Sequence, residues 1–343
     1  SRTVTDQPSP THNTTMDQTA TEIDFPKRGF ADEYSYYMTQ RPTVVLAIER
    51  EVVDPLLIRN TEQDRAETRV INTVTRAQSN PEKFTTKERL SGLHLLRELT
   101  ADEQDLIHDQ YVYNEPPALR EAINMDTLTY GITGTGDEDY GIKSRLVAGY
   151  TYTTGEYDII DAEVRNKAHE SGTMNYDDDG DMKHSQGLYE QVRVKPRNSF
   201  VHFLSIEAGT PGMLAYVLHN ILNTHGYGAR ETRSGKTIEN HIRALVLAEH
   251  PVLLSVGEFL SNYDPDTVES ADVGNALGKY LNAQRRANWS VYGDQDVPNA
   301  DPFPEWFTTL KTIAGRQRSD ATDVLYELFQ QDTDAARKNI PKT

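Results

Sequence analysis

The chain has 343 residues and 36% hydrophobic content, which suffices for one large domain or two smaller ones with a substantial core. Its 53 acidic and 35 basic residues give a net charge of -18. The absence of cysteine excludes disulfides, thiolate zinc sites and cysteine nucleophiles. No apolar run approaches the roughly 20 residues of a membrane-spanning helix, and no signal peptide opens the chain, so we expect a soluble, cytoplasmic protein.

The acidic excess has two interpretations. It is typical of salt-adapted cytosolic proteins, because concentrated salt screens the repulsion between like charges. It is also what a surface that repels nucleic acid would show. We favour salt adaptation, because the basic residues that are present occur in clusters.

The first half of the chain predicts an arm, a strand and a helix. Residues 1–38 are rich in Thr, Asp and Gln with few periodic apolar positions, which predicts a disordered arm. Residues 43–58 predict a strand that is followed by a bend at Pro55. Residues 80–99 place leucines on neighbouring faces and predict a helix. Residues 129–153 then combine glycines with alternating, strand-like positions.

Residues 162–191 predict an exposed excursion, either a long hairpin or a disordered loop, because almost no apolar position repeats. Long loops inside a compact domain usually carry function. The acidic run NYDDDGD (175–181) resembles a calcium loop, but its twelfth position is Gln186 where the loop requires Glu. We therefore favour a solvated loop tip.

The clearest elements lie between residues 199 and 248. Residues 199–209 alternate between two apolar faces and predict a strand that is buried on both sides. Thr210 can cap a following helix, Pro211 suits its first turn, and Gly226 is a natural stop. Residues 242–248 predict a second strand, so the three elements form a β-α-β crossover. The last eighty residues are predicted to be mostly helical.

The loop NTHGYGARETRSGK (223–236) is basic within an acidic chain. Its glycines let backbone N–H groups approach phosphates, its arginines can fork onto phosphate oxygens, and Tyr227 can stack on a base. The alternative is an ordinary connection with a few solvated arginines. A nucleotide-binding P-loop does not fit, because Arg230 stands where its first glycine belongs and the loop follows a helix.

Two more basic clusters accompany this loop, in residues 192–198 and 142–145. Three such clusters in an acidic chain predict one continuous track for a polyanion. No histidine spacing indicates a metal site, and no Ser/His/Asp pattern is present. Asp54 and Asp64, which follow the first predicted strand, are the carboxylates retained as nuclease candidates.

Residues 203–249 resemble a known family. The loop reads Tyr-Gly-Ala-x-x-x-Arg-x-Gly from Tyr227 to Gly235, and Asn-His follows at 240–241. This pattern is similar to that of the Cas-seven family, the backbone subunits of type I CRISPR surveillance complexes, and most similar to the type I-D version. The spacing to residues 50–60, 143–145 and 194–196 agrees, so the resemblance covers about residues 43–260.

The resemblance implies an α+β fold with an RRM-like (ferredoxin-like) palm and inserted finger segments. The palm would span 39–261, a β-hairpin thumb would lie at about 163–191, and a mostly helical C-terminal extension would span 262–343. Relatives in this branch often carry a Cys-rich metal knuckle near the position of residues 124–141. Without cysteine, we expect no zinc and no other cofactor.

The implied function is that of a non-catalytic subunit that polymerises with copies of itself along CRISPR RNA (crRNA), beside other Cascade subunits. Binding must ignore sequence and leave base edges free to pair with target DNA. No membrane is involved, and the acidic composition indicates a salt-adapted archaeon as the source. The expected contacts to the RNA backbone are Arg50, Arg59, Lys143, Arg145, Arg193, Lys195, Arg230, Arg233 and Lys236, with hydrogen bonds or stacking from Ser144, Tyr227 and Thr232.

Two alternatives remain. Relatives in type III complexes cut the target strand at intervals, so the chain could be a metal-dependent ruler-type nuclease in which Asp54 or Asp64 holds Mg²⁺. It could also be a purely structural adaptor without RNA contact.

Overall fold

The structure, a computed structural model, describes most of the chain. The described residues are 22–59, 66–100, 105–115, 117–134, 139–157, 160–165, 175–178, 181–184, 189–229, 235–263, 270–315 and 323–342. The strands are β1 (Thr43–Val52), β2 (Glu67–Ile71), β3 (Val74–Ser79), β4 (Ile132–Gly134), β5 (Tyr140–Ile142), β6 (Leu146–Ala148), β7 (Thr151–Tyr152), β8 (Ile160–Arg165), β9 (Asn175–Asp178), β10 (Asp181–His184), β11 (Tyr189–Val194), β12 (Ser199–Glu207), β13 (Ile238–Ala248), β14 (Ser290–Gly293) and β15 (Asp301–Pro302). The helices are α1 (Glu82–Leu99), α2 (Met125–Tyr130), α3 (Pro211–Leu222), α4 (Val256–Ser261), α5 (Ser270–Gln284), α6 (Glu305–Ala314) and α7 (Asp323–Asn339), with a 3-10 helix at Leu119–Ala122.

A six-stranded sheet in the order β15-β14-β13-β1-β12-β6 forms the centre of the molecule. Strand β1 pairs antiparallel with both β12 and β13, so these two strands run parallel to each other with β1 between them. Helix α3 connects them. The predicted β-α-β crossover is therefore present, but its two strands are separated by β1.

Both faces of the sheet are covered, because side chains alternate along β1. Leu46 and Ile48 lie in a core with helices α1, α2, α3, α6 and α7. Val45 and Ala47 face the opposite core, which contains α4 and α5. Val201 and Phe203 of β12 join this second core, as the alternation predicted.

Helix α3 begins as its sequence predicts. The Thr210 hydroxyl accepts a hydrogen bond from the backbone N–H of Met213, and Pro211 is the first helical residue. The helix ends at Leu222, four residues before Gly226, so the predicted stop at this glycine is wrong. Asn223 ends the helix, because its side-chain amide donates to the carbonyl of His219 (3.0 Å) and to that of Ala314 (2.9 Å).

The excursion at 162–191 contains paired strands where the structure describes it. Strands β8 and β11 pair antiparallel, with Arg165 opposite Tyr189, and β9 pairs with β10. These pairings favour the hairpin interpretation over the disordered loop. Residues 166–174, 179–180 and 185–188 lie outside the described residues.

The predicted disordered arm is wrong for residues 22–38. Phe30 and Tyr34 are buried in the first core, and the ring of Phe25 lies 5.9 Å from that of Trp306. Apolar side chains spaced along this segment fill the space beside α6. Residues 1–21 lie outside the described part of the chain.

The C-terminal region completes the same sheet and core. Strand β14 pairs with β13, and helices α6 and α7 contribute Phe307 and Phe329 to the core around α3. The region is mostly helical, as predicted, and it shares one core with the residues before it. Among the described helices, none combines the length and apolar character needed to cross a bilayer.

Candidate nucleic-acid interface

Three segments that were singled out in the sequence meet at one end of the central sheet. They are the β1 loop (residues 53–59), the β11–β12 turn (195–198) and the basic loop (223–236). The backbone N–H of Val53 donates to the carbonyl of Thr237 at 2.9 Å, and that of Arg197 donates to the carbonyl of Val52 at 2.8 Å. Leu56 and Val194 exchange two backbone hydrogen bonds. The antiparallel pairing of β1 with β12 and β13 dictates this meeting, because the end of β1 lies beside the starts of the other two strands.

The base of the basic loop is closed by hydrogen bonds. The Thr237 hydroxyl accepts from the backbone N–H of Tyr227 (2.8 Å), and the Thr237 N–H donates to the carbonyl of His225 (2.9 Å). The N–H of Ala229 donates to the carbonyl of Leu57 (2.9 Å), which joins the loop to the β1 loop. The base of the loop therefore has a defined position.

Beneath this base lies a buried polar cluster, the anchor network, formed by Arg50, Glu88, Tyr227 and Asn240. Arg50 forms an ion pair with Glu88 and also donates to the side-chain oxygen of Asn240 at 3.1 Å. The Tyr227 hydroxyl donates to Glu88 (2.8 Å) and accepts from the Asn240 amide (2.9 Å). Buried polar groups are stable only when they are bonded in this way.

Burial and charge act together on the titration of this network. Burial raises the pKa of Tyr227 well above its usual value, and the Glu88 carboxylate raises it further. Burial disfavours the charge on Arg50, but Glu88 and Tyr227 together outweigh this effect and raise the Arg50 pKa. Burial also lowers the pKa of the neighbouring His202 to about 3, and the Arg50 charge adds to this effect. At neutral pH Tyr227 therefore keeps its phenolic proton, and the neighbouring His202 is a neutral imidazole.

Above the anchor network lies the basic groove, a cavity of about 700 Å³ between α1, the β1 loop and the start of the basic loop. Phe84 and Tyr227 form part of its apolar floor. Its cationic residues are Arg59, Lys83 and Lys87, and Glu82 is the acidic residue in its lining. Such a groove can hold a sugar-phosphate chain through phosphate contacts above and apolar contacts below.

Lys83 and Lys87 are functional candidates that the sequence analysis missed. They are four residues apart on α1, so they project from the same helical face. The helix itself was predicted at 80–99, and the i, i+4 lysine spacing was the available signal. What was lacking was the contact between α1 and the two loops, which depends on the tertiary fold.

Three further predicted residues lie at this end of the sheet. Arg193 is buried, and its guanidinium donates to the carbonyl of Pro55 at 3.4 Å, so it supports the β1 loop from below. Lys195 is half-buried in the β11–β12 turn. Lys236 is exposed and forms an ion pair with Glu239.

The cluster at 142–145 lies at the opposite end of the sheet. Strand β6 pairs with the second half of β12, with Leu146 opposite Ile206. Because β12 has nine residues, the two basic regions are separated by roughly 30 Å. Lys143 is exposed there, and the Ser144 hydroxyl donates to the carbonyl of Leu146 at 2.8 Å. Within the described residues, these positions do not continue the basic groove.

Four of the predicted direct RNA contacts conflict with burial, and Arg193 is one of them. The side chains of Arg50, Arg145 and Tyr227 are at most 2% exposed. Arg145 donates to the carbonyl of Ala208 (3.1 Å) and lies over the ring of Tyr34, so its role is to hold the N-terminal segment. Arg50 and Tyr227 are held within the anchor network. The Arg50 and Arg145 guanidinium groups and the Tyr227 hydroxyl are therefore bonded inside the protein and do not contact a bound strand in this arrangement.

Several other predicted residues can be placed only in part. Arg230, Thr232, Arg233 and Asp64 lie outside the described residues. Asp54 is exposed in the β1 loop and is not among the residues that line the basic groove. Among the residues that the structure describes, no group of three or more His, Cys, Asp or Glu side chains could hold a metal ion.

Comparisons with known proteins give one family model and several similar folds. A family model described as Csc2 Crispr matches residues 58–273. The crystal structure of Thermofilum pendens Csc2 is similar at a TM-score of 0.57 and 14% identity, with 87% of this chain and 88% of that chain covered. A chain of a CRISPR RNA-guided surveillance complex in a pre-nicking state has a TM-score of 0.54 at 9% identity, covering 79% of this chain and 99% of its own.

A chain of a second CRISPR RNA-guided surveillance complex has a TM-score of 0.50 at 7% identity, covering 79% of this chain and 98% of its own. No curated protein matches the chain. At these identities the solved structures show the fold, a mixed α+β architecture like theirs.

Proposed function

Because the chain belongs to the Csc2 CRISPR family, whose model matches residues 58–273, we propose that it is a backbone subunit of a type I-D CRISPR surveillance complex. In this role it binds crRNA without regard to sequence and presents the guide for pairing with target DNA. The observation that carries the proposal is the basic groove. In a chain of net charge -18, Arg59, Lys83 and Lys87 line one cavity, and the basic loop begins at its edge.

The strand order supports an RRM-like palm. Strands β13-β1-β12-β6 follow one another in an antiparallel arrangement, and α1 and α3 cover one face. This is the order that a β-α-β-β-α-β unit produces, with β1, α1, β6, β12, α3 and β13 as its elements. In this proposal β8–β11 belong to the thumb, and the remaining strands and helices are additions around the palm.

Sequence-independent binding follows from the chemistry of the groove. Lysine and arginine side chains recognise phosphate charge, which is the same at every nucleotide. An apolar floor contributes contacts that any base or sugar can make. Arg230, Arg233, Lys195 and Lys236 remain proposed phosphate contacts beside the groove, and Thr232 a proposed hydrogen-bond donor.

The proposed partners are crRNA, further copies of this chain along it, and other Cascade subunits in the cytoplasm. Two of the similar solved chains belong to surveillance complexes, which supports this assignment. The separate exposed cluster at Lys143 is then a second point of contact with the guide, with Ser144 beside it and Arg145 supporting it from the core.

The test is RNA binding by a groove variant and a matched control. Lys83→Ala with Lys87→Ala removes two groove cations, whereas Lys279→Ala with Lys338→Ala removes two exposed lysines elsewhere. We expect the groove variant to weaken binding to every guide sequence alike. The slope of log affinity against log salt should become shallower by about 1.4 for two lost phosphate contacts. Equal losses in both variants, or a loss confined to particular guides, would contradict the proposal.

A metal-dependent nuclease is the second candidate, and the exposed position of Asp54, two residues before Leu56 of the groove lining, is the observation that favours it. In this alternative Asp54 or Asp64 would hold Mg²⁺ against the guide-paired strand. The assembled complex is incubated with single-stranded target, with and without Mg²⁺. Regularly spaced fragments that disappear in the Asp54→Ala variant would establish the activity, and an intact target would reject it.

A further inference from the structure

The anchor network joins four separate parts of the chain. Arg50 lies in β1, Glu88 in α1, Tyr227 in the basic loop and Asn240 in β13. The Tyr227 hydroxyl is bonded to all three partners, with distances of 2.8 Å to Glu88, 2.9 Å to the Asn240 amide and 3.3 Å to the Arg50 guanidinium. A single hydroxyl therefore connects the basic loop to the helix that carries the groove lysines.

The network also fixes the backbone around the loop. The Asn240 amide donates to the carbonyl of Ile221 at 2.9 Å and to that of Thr224 at 3.3 Å, which ties the end of α3 to β13. Thr237 closes the base of the loop on Tyr227, as described above. These bonds fix the two described ends of the loop, at Tyr227 and at Thr237.

The ring contacts extend this arrangement to α1. The Phe84 ring lies 5.6 Å from the Tyr227 ring, and the Arg50 guanidinium lies 4.7 Å from the centre of the Phe84 ring. Phe84 is on the same helix as Lys83 and Lys87, one residue and three residues away. The position of Tyr227 therefore sets the spacing between the basic loop and these lysines.

We infer that the anchor network is a positioning device, which holds Gly228 and Ala229, at the start of the basic loop, at the spacing from the α1 lysines at which both sides of the basic groove contact one RNA strand. This inference rests on the proposed function. Arg50, Glu88, Tyr227 and Asn240 are positioning residues in this account, because their polar groups bond one another and not the strand. The network explains why Tyr227 of the basic loop and Arg50 of β1 are buried beneath the proposed RNA-binding groove.

The decisive variant is Tyr227→Phe, which removes the linking hydroxyl and keeps the ring. Tyr216→Phe is the matched control, because Tyr216 is also buried and its hydroxyl also bonds a buried carboxylate, that of Asp126 at 3.3 Å. Tyr216 lies within α3 and does not contact the basic loop through any described hydrogen bond. Thr237→Val is the second variant, and it replaces Tyr227→Phe if that protein does not fold.

Two measurements are made on the full-length chain. The first is the affinity for a labelled single-stranded RNA of mixed sequence over a series of salt concentrations. The second needs no RNA and follows trypsin cleavage after Arg230, Arg233 and Lys236 by mass spectrometry. For Tyr227→Phe we expect an affinity loss of about tenfold, equivalent to about 1.4 kcal/mol, a shallower salt slope and faster cleavage in the loop.

The control separates positioning from general destabilisation. Tyr216→Phe should lower the melting temperature without changing RNA affinity, salt slope or loop cleavage. The inference is overturned if both variants lose affinity equally, or if Tyr227→Phe behaves like the wild type in both measurements. If the wild-type chain does not bind RNA, the proposed function fails. The cleavage comparison then decides alone, since faster cleavage only in Tyr227→Phe supports the anchor and equal rates reject it.

Discussion

Gly228 shows how one residue fixes the start of the basic loop. Its φ angle of +86° belongs to the region that favours glycine, and a Cβ atom there would lie 2.7 Å from the carbonyl oxygen of Leu57. That oxygen is part of the backbone and already accepts a bond from Ala229, so it cannot move aside without breaking the contact between the two loops.

We predict that Gly228→Ala lowers the free energy of unfolding by about 1–3 kcal/mol, through backbone strain and this close contact. Gly235→Ala in the same loop is the control, because a Cβ atom at that position meets nothing within 4 Å. Urea unfolding of both variants measures the difference. Equal stabilities would show that the loop adjusts to the added methyl group.

A second prediction concerns the stability of variants of the buried ion pair between Arg50 and Glu88. Glu88→Gln leaves the guanidinium in the core without its counter-charge, and we expect a loss of about 3–5 kcal/mol in the free energy of unfolding. Arg50→Met combined with Glu88→Leu removes both charges, so the double variant should be more stable than Glu88→Gln. Chemical denaturation measures the free energy of unfolding of the single and the double variant. A double variant that is less stable than the single one would indicate that the pair stabilises the fold beyond mutual neutralisation.

Single residues were also where prediction from sequence failed. Positive charge at Arg50 and Arg145 was assigned to an RNA surface, because a sequence does not show which cations are buried. The Arg50 counter-charge, Glu88, is 38 residues away, and Arg145 bonds a carbonyl in the segment before β1 at Ser35. Both partners come from parts of the chain that only the tertiary fold brings close.

Among the helices and strands, the sequence correctly predicted the features that depend on residues close together in the chain. Alternating apolar residues predicted β12, and the Thr-Pro pair predicted the first residue of α3. The end of α3 was predicted wrongly, because Asn223 is held in part by the distant carbonyl of Ala314. The groove was predicted only in part, since its lysines belong to a helix whose neighbours were unknown.

The junction of α3 and α7 supplies a prediction about pH. Asp332 of α7 accepts a hydrogen bond from the Thr210 hydroxyl at 2.6 Å, and burial raises the pKa of its carboxyl to about 7. The folded protein thus holds a proton that the unfolded chain releases above about pH 4. Stability from this proton is present at low pH and is lost as the pH rises through about 7.

Asp332→Asn should therefore raise the melting temperature more at about pH 8 than at about pH 5. The asparagine keeps an oxygen that accepts from Thr210, so the cap is preserved. Asp334→Asn, at an exposed position two residues further along α7, is the control and should show no such dependence. Thermal unfolding followed by circular dichroism at both pH values measures the shift, and a shift of equal size at both would contradict the assignment.

For the whole molecule, the net charge of -18 opposes compact folding in dilute buffer. We predict that the melting temperature rises with added potassium chloride. The reason is that the repulsion between surface charges reaches only about 3 Å at 1 M salt, compared with about 10 Å at 0.1 M. Potassium chloride and an equally concentrated neutral osmolyte are compared by thermal unfolding. A melting temperature that falls with salt would reject salt adaptation.

The central position of β1 governs how the protein is made. Its two neighbours, β12 and β13, are supplied by residues 199–207 and 238–248, roughly 150 and 200 positions downstream. A ribosome must therefore translate past residue 248 before the middle strand acquires both partners in full register, and pairings at such separations form slowly. The lining of the basic groove extends from Leu56 to Ala229, so the groove too is completed only after about two thirds of the chain has been made.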